Sequence, residues 1–212
     1  MNIIKPEIFV ENEINGIEIL KHIEKIGRVC YKSEDSITAD SAARFVKNII
    51  KSGHESVIEH YSISVRIICD RGVTHEIVRH RIASYSQEST RYCNYSRDKF
   101  DNQITYIKPN FWCSENEGDK EKMKLWEETL SVIEKNYMKL VDLGATPQEA
   151  RSILPNSLKT ELVMTMNLRE WRHFLRLRAS KASHPQMREV AFLILNEFKG
   201  KIPVIFDDIS AE

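Results

Sequence analysis

The sequence predicts an α+β fold in which a central, largely antiparallel sheet is flanked by helices, within a single domain spanning residues 1–212. Three observations predict it. Residues 61–68 alternate, with Ile63, Val65 and Ile67 on one side, the period-2 pattern of a strand with one buried face. Longer segments elsewhere repeat apolar residues every three to four positions, the period of an amphipathic helix. No linker, internal repeat or low-complexity segment divides the chain.

Residues 3–10 read as a short edge strand, the one place in a sheet where Pro6 is tolerated. Ile17, Leu20, Ile23 and Ile26 mark a first helix ending near Gly27 or a little later. A second begins at Thr38 or Asp40, carries Ala43, Phe45, Val46, Ile49 and Ile50, and ends at Gly53, which suits a left-handed helix terminus. His54-Glu55-Ser56 then hands over to the strand 61–68. Helical phase over residues 73–85 places Arg81 on the apolar stripe with Ile77 and Val78, and Arg79 on the polar side with His75 and Glu76. Residues 104–109 read as a further strand. A polar turn at 114–120 leads into a long helix, about 119–143, with Met123, Trp126, Leu130, Ile133, Tyr137 and Leu140 at helical spacing and Gly144 at its end. Such a stripe belongs to a core or a subunit interface. Thr146-Pro147-Gln148-Glu149 is a capping box with proline at the first helical position, opening a short helix through Arg151 that stops at Pro155. Residues 158–166 read as a strand, and Asn167 as the N-cap of the next helix. Trp171, Phe174 and Leu175 form the buried face of that helix and Arg178 follows on it; Arg169, Arg172 and Arg176 share another face, which for Arg172 and Arg176 reads as solvated. Ser183–Arg188 opens a last helix with Val190, Ala191, Leu193, Ile194 and Phe198 inward, and 202–206 is a short apolar tail.

Lys plus Arg and Asp plus Glu number 31 each, for a formal charge of +0. That balance argues against a general nucleic-acid or membrane-surface protein. It is not uniform: residues 66–97 hold six arginines against Asp70, Glu76 and Glu88, the footprint of a small anionic ligand. Cysteines 30, 69, 93 and 113 show no CxxC spacing and no signal peptide precedes them, so neither a zinc site nor a disulfide framework is indicated and a cytoplasmic setting is expected. No apolar run approaches the ~20 residues that span a bilayer. His75 and His80 sit five apart, about 140° around a helix, which does not make a zincin pair, and no metal is expected.

The stretch Arg79-His80-Arg81-Ile82-Ala83-Ser84-Tyr85-Ser86-Gln87-Glu88-Ser89-Thr90-Arg91-Tyr92 concentrates the chemistry. Arginine suits two-pronged recognition of a phosphate or a carbonyl pair, and a buried guanidinium on the apolar stripe needs an anion or a fan of acceptors. An arginine-rich helix interleaved with Tyr85, Tyr92 and Tyr95 suits single-stranded nucleic acid as an alternative, against which the neutral net charge weighs. No GxGxxG is present, so a Rossmann mode of flavin binding is not the starting assumption.

Arg79, His80 and Arg81 followed after seven residues by Ser89 resemble the signature of the flavin-dependent thymidylate synthases, and the resemblance extends from about His54 to Arg188. It implies reductive methylation of dUMP to dTMP, with methylenetetrahydrofolate as one-carbon donor, FAD as cofactor, NADPH as reductant and no enzyme cysteine as nucleophile. It implies that Ser56, Arg79, His80, Arg81, Gln87, Asn167, Arg169 and His173 bind FAD. For dUMP it implies Glu76, Arg79, Gln87, Glu88, Ser89, Thr90, Arg91, Arg151 and Arg178, the last as the catalytic arginine that favours ionisation of the pyrimidine. A homotetramer with active sites between subunits follows from the same resemblance, while the charge balance and the lack of a spanning apolar run lead to no nucleic-acid partner and no membrane association. A flavoprotein acting on another nucleotide shares most of these residues. Two features depart from the family pattern: Glu76 stands where relatives often carry Gln, and Gln87-Glu88 differs from the expected order of acid then neutral residue.

Overall fold

Pro6 splits the first apolar stretch into two strands, β1 (Asn2–Ile4) and β2 (Glu7–Val10), rather than the single strand expected, because it has no N–H for a ladder. In the computed structural model, which describes residues 1–210, there follow α1 (Gly16–Val29), α2 (Ser41–Lys51), β3 (Ser62–Asp70), α3 (Arg71–Ile77), β4 (Ser84–Gln87), β5 (Thr105–Ile107), α4 (Glu117–Asp142), α5 (Pro147–Ala150), β6 (Lys159–Asn167), α6 (Leu168–Arg178) and α7 (Pro185–Lys201). The expected α+β class is what the chain forms: β2, β3, β6 and β4, in that order, make an antiparallel sheet, and β1 pairs in parallel with β5. Ile63, Val65 and Ile67 on β3 and Leu162 and Met164 on β6 are all 0% exposed, as the alternation requires. No helix among the described residues is long and apolar enough to cross a membrane.

The chain forms two compact units. The first comprises Met1–Glu7, Ile68–Ile77 and Ser86–Leu162; the second comprises Ile8–Ile67, Val78–Tyr85 and the chain from Val163 onward.

In the first unit, Leu130 and Tyr137 of α4 pack with Tyr95, Ile104, Tyr106, Ala150 and Leu158. Asn116 caps α4 by accepting from Asp119 N at 2.8 Å, and Gly144, at φ +92°, ends it in a backbone conformation that side chains disfavour. The capping box forms as expected: Thr146 N and Oγ1 both donate to Glu149 Oε2, at 2.7 and 2.6 Å.

In the second unit, α1 and α2 approach so closely at Gly27 that any β-carbon there would lie 2.7 Å from the Phe45 ring. Asn167 caps α6 by accepting from Glu170 N at 2.9 Å. Behind α6, Trp171 stands edge-on to Phe174 and Phe198, with centroids 5.7 and 5.1 Å away, and its indole N–H donates to Ile63 O at 3.0 Å. Ile202, Ile205 and Phe206 of the apolar tail are fully buried. The side of α6 carrying Trp171 is thereby fixed, and the opposite side is left for chemistry.

One expected element is wrong. Residues 73–85 do not form one helix: α3 stops at Ile77, and 84–87 pair as β4. Val78, which with Ile77 suggested a continued stripe, is 41% exposed, and Ile82 beyond it is 69% exposed. With the helix gone, Arg81 is exposed rather than buried, and the buried member of the Arg-His-Arg triplet is His80.

Candidate active site

The site residues of the second unit gather around α6 and the turn Glu55–His60 that precedes β3. His80 is 5% exposed, with its ring edge-on to Phe174 at 4.8 Å. Arg178 Nε donates to His80 Nε2 at 3.1 Å, which leaves the ring proton on Nδ1, facing Glu170 Oε1 at 3.7 Å. Burial first, then the Arg178 guanidinium and His173, lower the His80 pKa to about 4, so the ring is neutral near pH 7. Burial likewise raises the Glu170 carboxyl. Tyr85 OH donates to the His80 carbonyl at 2.6 Å and fixes the backbone of the triplet.

A cavity of about 610 Å³ opens beside this chain of contacts, lined by Glu55, Glu59, Ile82, Asn167, Arg169, Glu170, His173 and Arg176. That volume lies in the range of cofactor sites. Arg169 pairs with Glu59 at 2.6 Å across it. Of the residues expected to hold a flavin here, Asn167, Arg169 and His173 line the cavity. Ser56 is exposed on the turn between Glu55 and Glu59, and Arg79 and Arg81 are exposed on either side of His80. His80, Glu170 and His173 bring ligand atoms within 4.8 Å of one another, a grouping that spacing in the sequence did not reveal. The guanidinium on His80 opposes a cation there, so the group reads as an electrostatic cluster anchored by the Arg178–His80 hydrogen bond.

The first unit holds the other set. Gln87, at the end of β4, donates from Nε2 to Thr74 Oγ1 at 3.2 Å and to Thr160 Oγ1 at 3.4 Å. Glu88 N donates to Glu161 O at 2.8 Å, continuing the pairing of β4 with β6. The Glu88 carboxylate accepts from Tyr95 OH and from Lys159 Nζ, each at 3.1 Å, so the acid that departs from the family order is neutralised by a lysine. Ser89 and Thr90 follow; Thr90 is 6% exposed and accepts from Arg151 Nη1 at 3.4 Å. Arg91 is exposed, and Glu76 is half-buried on α3. The structure thus joins Gln87–Arg91 to Arg151, which starts the single 3-10 turn Arg151–Ile153 after the capping box.

Sequence reasoning missed several residues. Arg172, read as solvated, is fully buried against Glu55 and Asp208, because α6 presents it to the apolar tail. Glu55 and Glu59 carried a weak signal, two carboxylates four apart beside Ser56; Asp208 carried none.

The family described as Thymidylate synthase complementing protein matches residues 17–204. A flavin-dependent thymidylate synthase of Geobacter sulfurreducens is 34% identical over 188 residues, 85% of this chain and 78% of that one. Another, of Mycobacterium sp. (strain JLS), is 33% identical over 227 aligned positions, 97% of this chain and 85% of the relative. Among solved structures, a UMP/dUMP methylase of Streptomyces cacaoi bound with 5-Br dUMP shares the fold, with a TM-score of 0.78 over 98% of this chain and 96% of that chain at 22% identity. With a family match over most of its length and relatives at this level of identity, the chain belongs to the flavin-dependent thymidylate synthases, a family of methyltransferase enzymes.

Proposed function

We propose that this enzyme methylates dUMP to dTMP, taking the one-carbon unit from methylenetetrahydrofolate, with FAD bound in the cavity beside α6 and NADPH as the reductant. The observation that carries the reading is the Arg178–His80 hydrogen bond, whose imidazole stands 5.9 Å from that of His173 on the cavity wall. When bound, reduced FAD supplies the hydride that completes the methyl group. The residues present fit such a group: the Asn167 amide, the His173 imidazole and apolar Ile82 suit a flat heteroaromatic ring, and the Arg169 guanidinium suits a phosphate.

The chain's own part is binding and electrostatics. C5 of uracil is a weak nucleophile until negative charge on the ring is stabilised, and Arg178 is the group for that task. Neutral His80 accepts from Nε and so orients the guanidinium without cancelling its charge. Arg79, Arg91 and Arg151 bind dUMP, with Glu76, Gln87, Glu88, Ser89 and Thr90 completing its site. Ser56, Arg79, His80, Arg81 and Gln87 join Asn167, Arg169 and His173 around FAD. Two of the four cysteines support a route without an enzyme thiolate: burial pushes the Cys69 thiol far up, and burial with Glu88 nearby raises that of Cys93. A homotetramer with shared sites, in the cytoplasm, is part of the same reading.

A visible absorbance spectrum of the purified protein, before and after dUMP, tests it. Flavin bands that shift with dUMP but not with dTTP or a short oligonucleotide support one joint site. A colourless protein that takes up no added FAD sinks the mechanism.

A further inference from the structure

The buried side of α6 holds a charge that the reading above does not use. Arg172 is 0% exposed beside Trp171, and a guanidinium cannot shed its proton, so it must be neutralised where it stands. Its partners come from two distant segments. Nε donates to Glu55 Oε1 at 3.1 Å, and Nη1 and Nη2 form a two-pronged pair with Asp208 at 2.6 and 2.7 Å. Nη1 also donates to the Ile205 carbonyl. Arg176, one turn on, reaches the same carboxylates at 3.5 and 3.0 Å. Hydrogen bonding from Arg172 holds the Asp208 carboxyl down to about 2, so the pair stays charged through the working pH range.

The two ends of this network differ. Asp208 belongs to the tail anchored by buried Ile205, Phe206 and Ile209, whereas Glu55 opens the turn Glu55–His60 and lines the cavity. Paired with Arg172 and Arg176, Glu55 presents little uncompensated negative charge to the cavity; stripped of Arg172, it would keep only the exposed Arg176 at 3.5 Å and would face an anionic cofactor across that space with much of its charge uncompensated.

We infer that Asp208 and Arg172 are positioning residues for the flavin cavity: the tail clamps Arg172, and Arg172 both holds the turn that presents Ser56 and Glu59 and neutralises Glu55 on the cavity wall. This rests on the cavity being the flavin site. An apolar residue of similar size at 172 would pack with less desolvation, so a retained buried charge with two-pronged geometry is explained by orientation rather than by stability.

The test is FAD affinity of the full-length, flavin-stripped protein, read by fluorescence quenching well below each variant's unfolding temperature. Arg172→Met and Asp208→Asn are expected to weaken FAD roughly ten-fold or more. Adding Glu55→Gln to Arg172→Met should recover most of that loss, since the double change removes the uncompensated carboxylate. Ile202→Val, which thins the apolar anchor without touching a charge, should lower the unfolding midpoint yet leave FAD affinity within about two-fold. A merely structural network predicts the reverse, with affinity following stability and no recovery in the double variant. If Arg172→Met does not fold, Asp208→Asn and its charge-retaining counterpart Asp208→Glu carry the comparison. Wild-type affinity in Asp208→Asn and Arg172→Met, with Arg169→Ala weakened, overturns this inference alone. Wild-type affinity in Arg169→Ala and His173→Ala as well overturns the cavity as the flavin site, and the inference with it.

Discussion

The two units hold their functional groups in opposite ways. In the second, the arginines of α6 are held by fixed partners: Arg172 between Glu55 and Asp208, Arg169 on Glu59, and Arg178 on the neutral His80 ring. In the first, Arg91 and Arg151 are exposed and neither meets a carboxylate among the described residues. Arg91 rests over the Tyr92 ring at 5.5 Å, and Arg151 reaches only Thr90, at 3.4 Å. A locked set suits a cofactor that stays, and it is paid for once, on folding. A solvated set suits an anionic substrate that arrives and leaves, because the guanidinium groups stay hydrated until the phosphate replaces their water.

Arg178 should show the largest effect, since it is locked by His80 yet assigned to the reacting ring. Arg178→Ala is expected to lower kcat about 10²–10³-fold, as loss of a preorganised electrostatic donor does, with a smaller change in the dUMP KM. Steady-state thymidylate formation checks this. A loss confined to KM would make Arg178 a binding arginine like those of the first unit and erase the contrast.

His80 gives the next effect, on stability. Its folded pKa is depressed from 6.5 to about 4, so between those values the unfolded chain binds a proton that the folded chain does not. The contribution is complete above pH 6.5 and is lost as pH falls toward 4, amounting to about 2–3 kcal/mol. Urea unfolding at pH 7.5 and 4.5 should therefore show a steeper acid loss in wild type than in His80→Gln. Parallel curves would mean that the ring is not held neutral by its surroundings.

What the sequence made legible was local. Asn167, Thr146, Gly53 and Gly144 were readable as caps and helix ends because the groups they serve lie within a few residues. The strand alternation at Ile63, Val65 and Ile67 was readable because one face is buried throughout. Arg172 was not, because its partners lie 117 and 36 residues away, and helical phase alone cannot say which polar face meets a distant tail. Arg81 was misplaced by extending that phase past Ile77, where the chain leaves the helix and His80 turns in instead. The arginine stretch itself identified the region of chemistry, but not that its residues divide between the two units.

The solvated set yields smaller losses. Arg91→Ala and Arg151→Ala should each raise the dUMP dissociation constant roughly ten-fold, the scale of one charge-assisted hydrogen bond, while FAD affinity is unchanged. Isothermal titration of the FAD-loaded protein with dUMP measures it, and higher salt should shrink the difference. If either substitution also releases FAD, the division of labour between the units fails.

The smallest effect probes how far an exposed arginine depends on its scaffold. Thr146→Ala removes the hydroxyl that donates to Glu149 Oε2 at 2.6 Å, and with it one half of the capping box. The expected cost is about 1 kcal/mol of stability, read as a lower urea midpoint. Because α5 runs directly into the turn that carries Arg151, a loosened cap should also raise the dUMP dissociation constant, by no more than about two-fold if a hydrated arginine tolerates a mobile base. A ten-fold rise would equal the loss of Arg151 itself. The first unit would then be as tightly preorganised as the second, held through its backbone rather than through ion pairs.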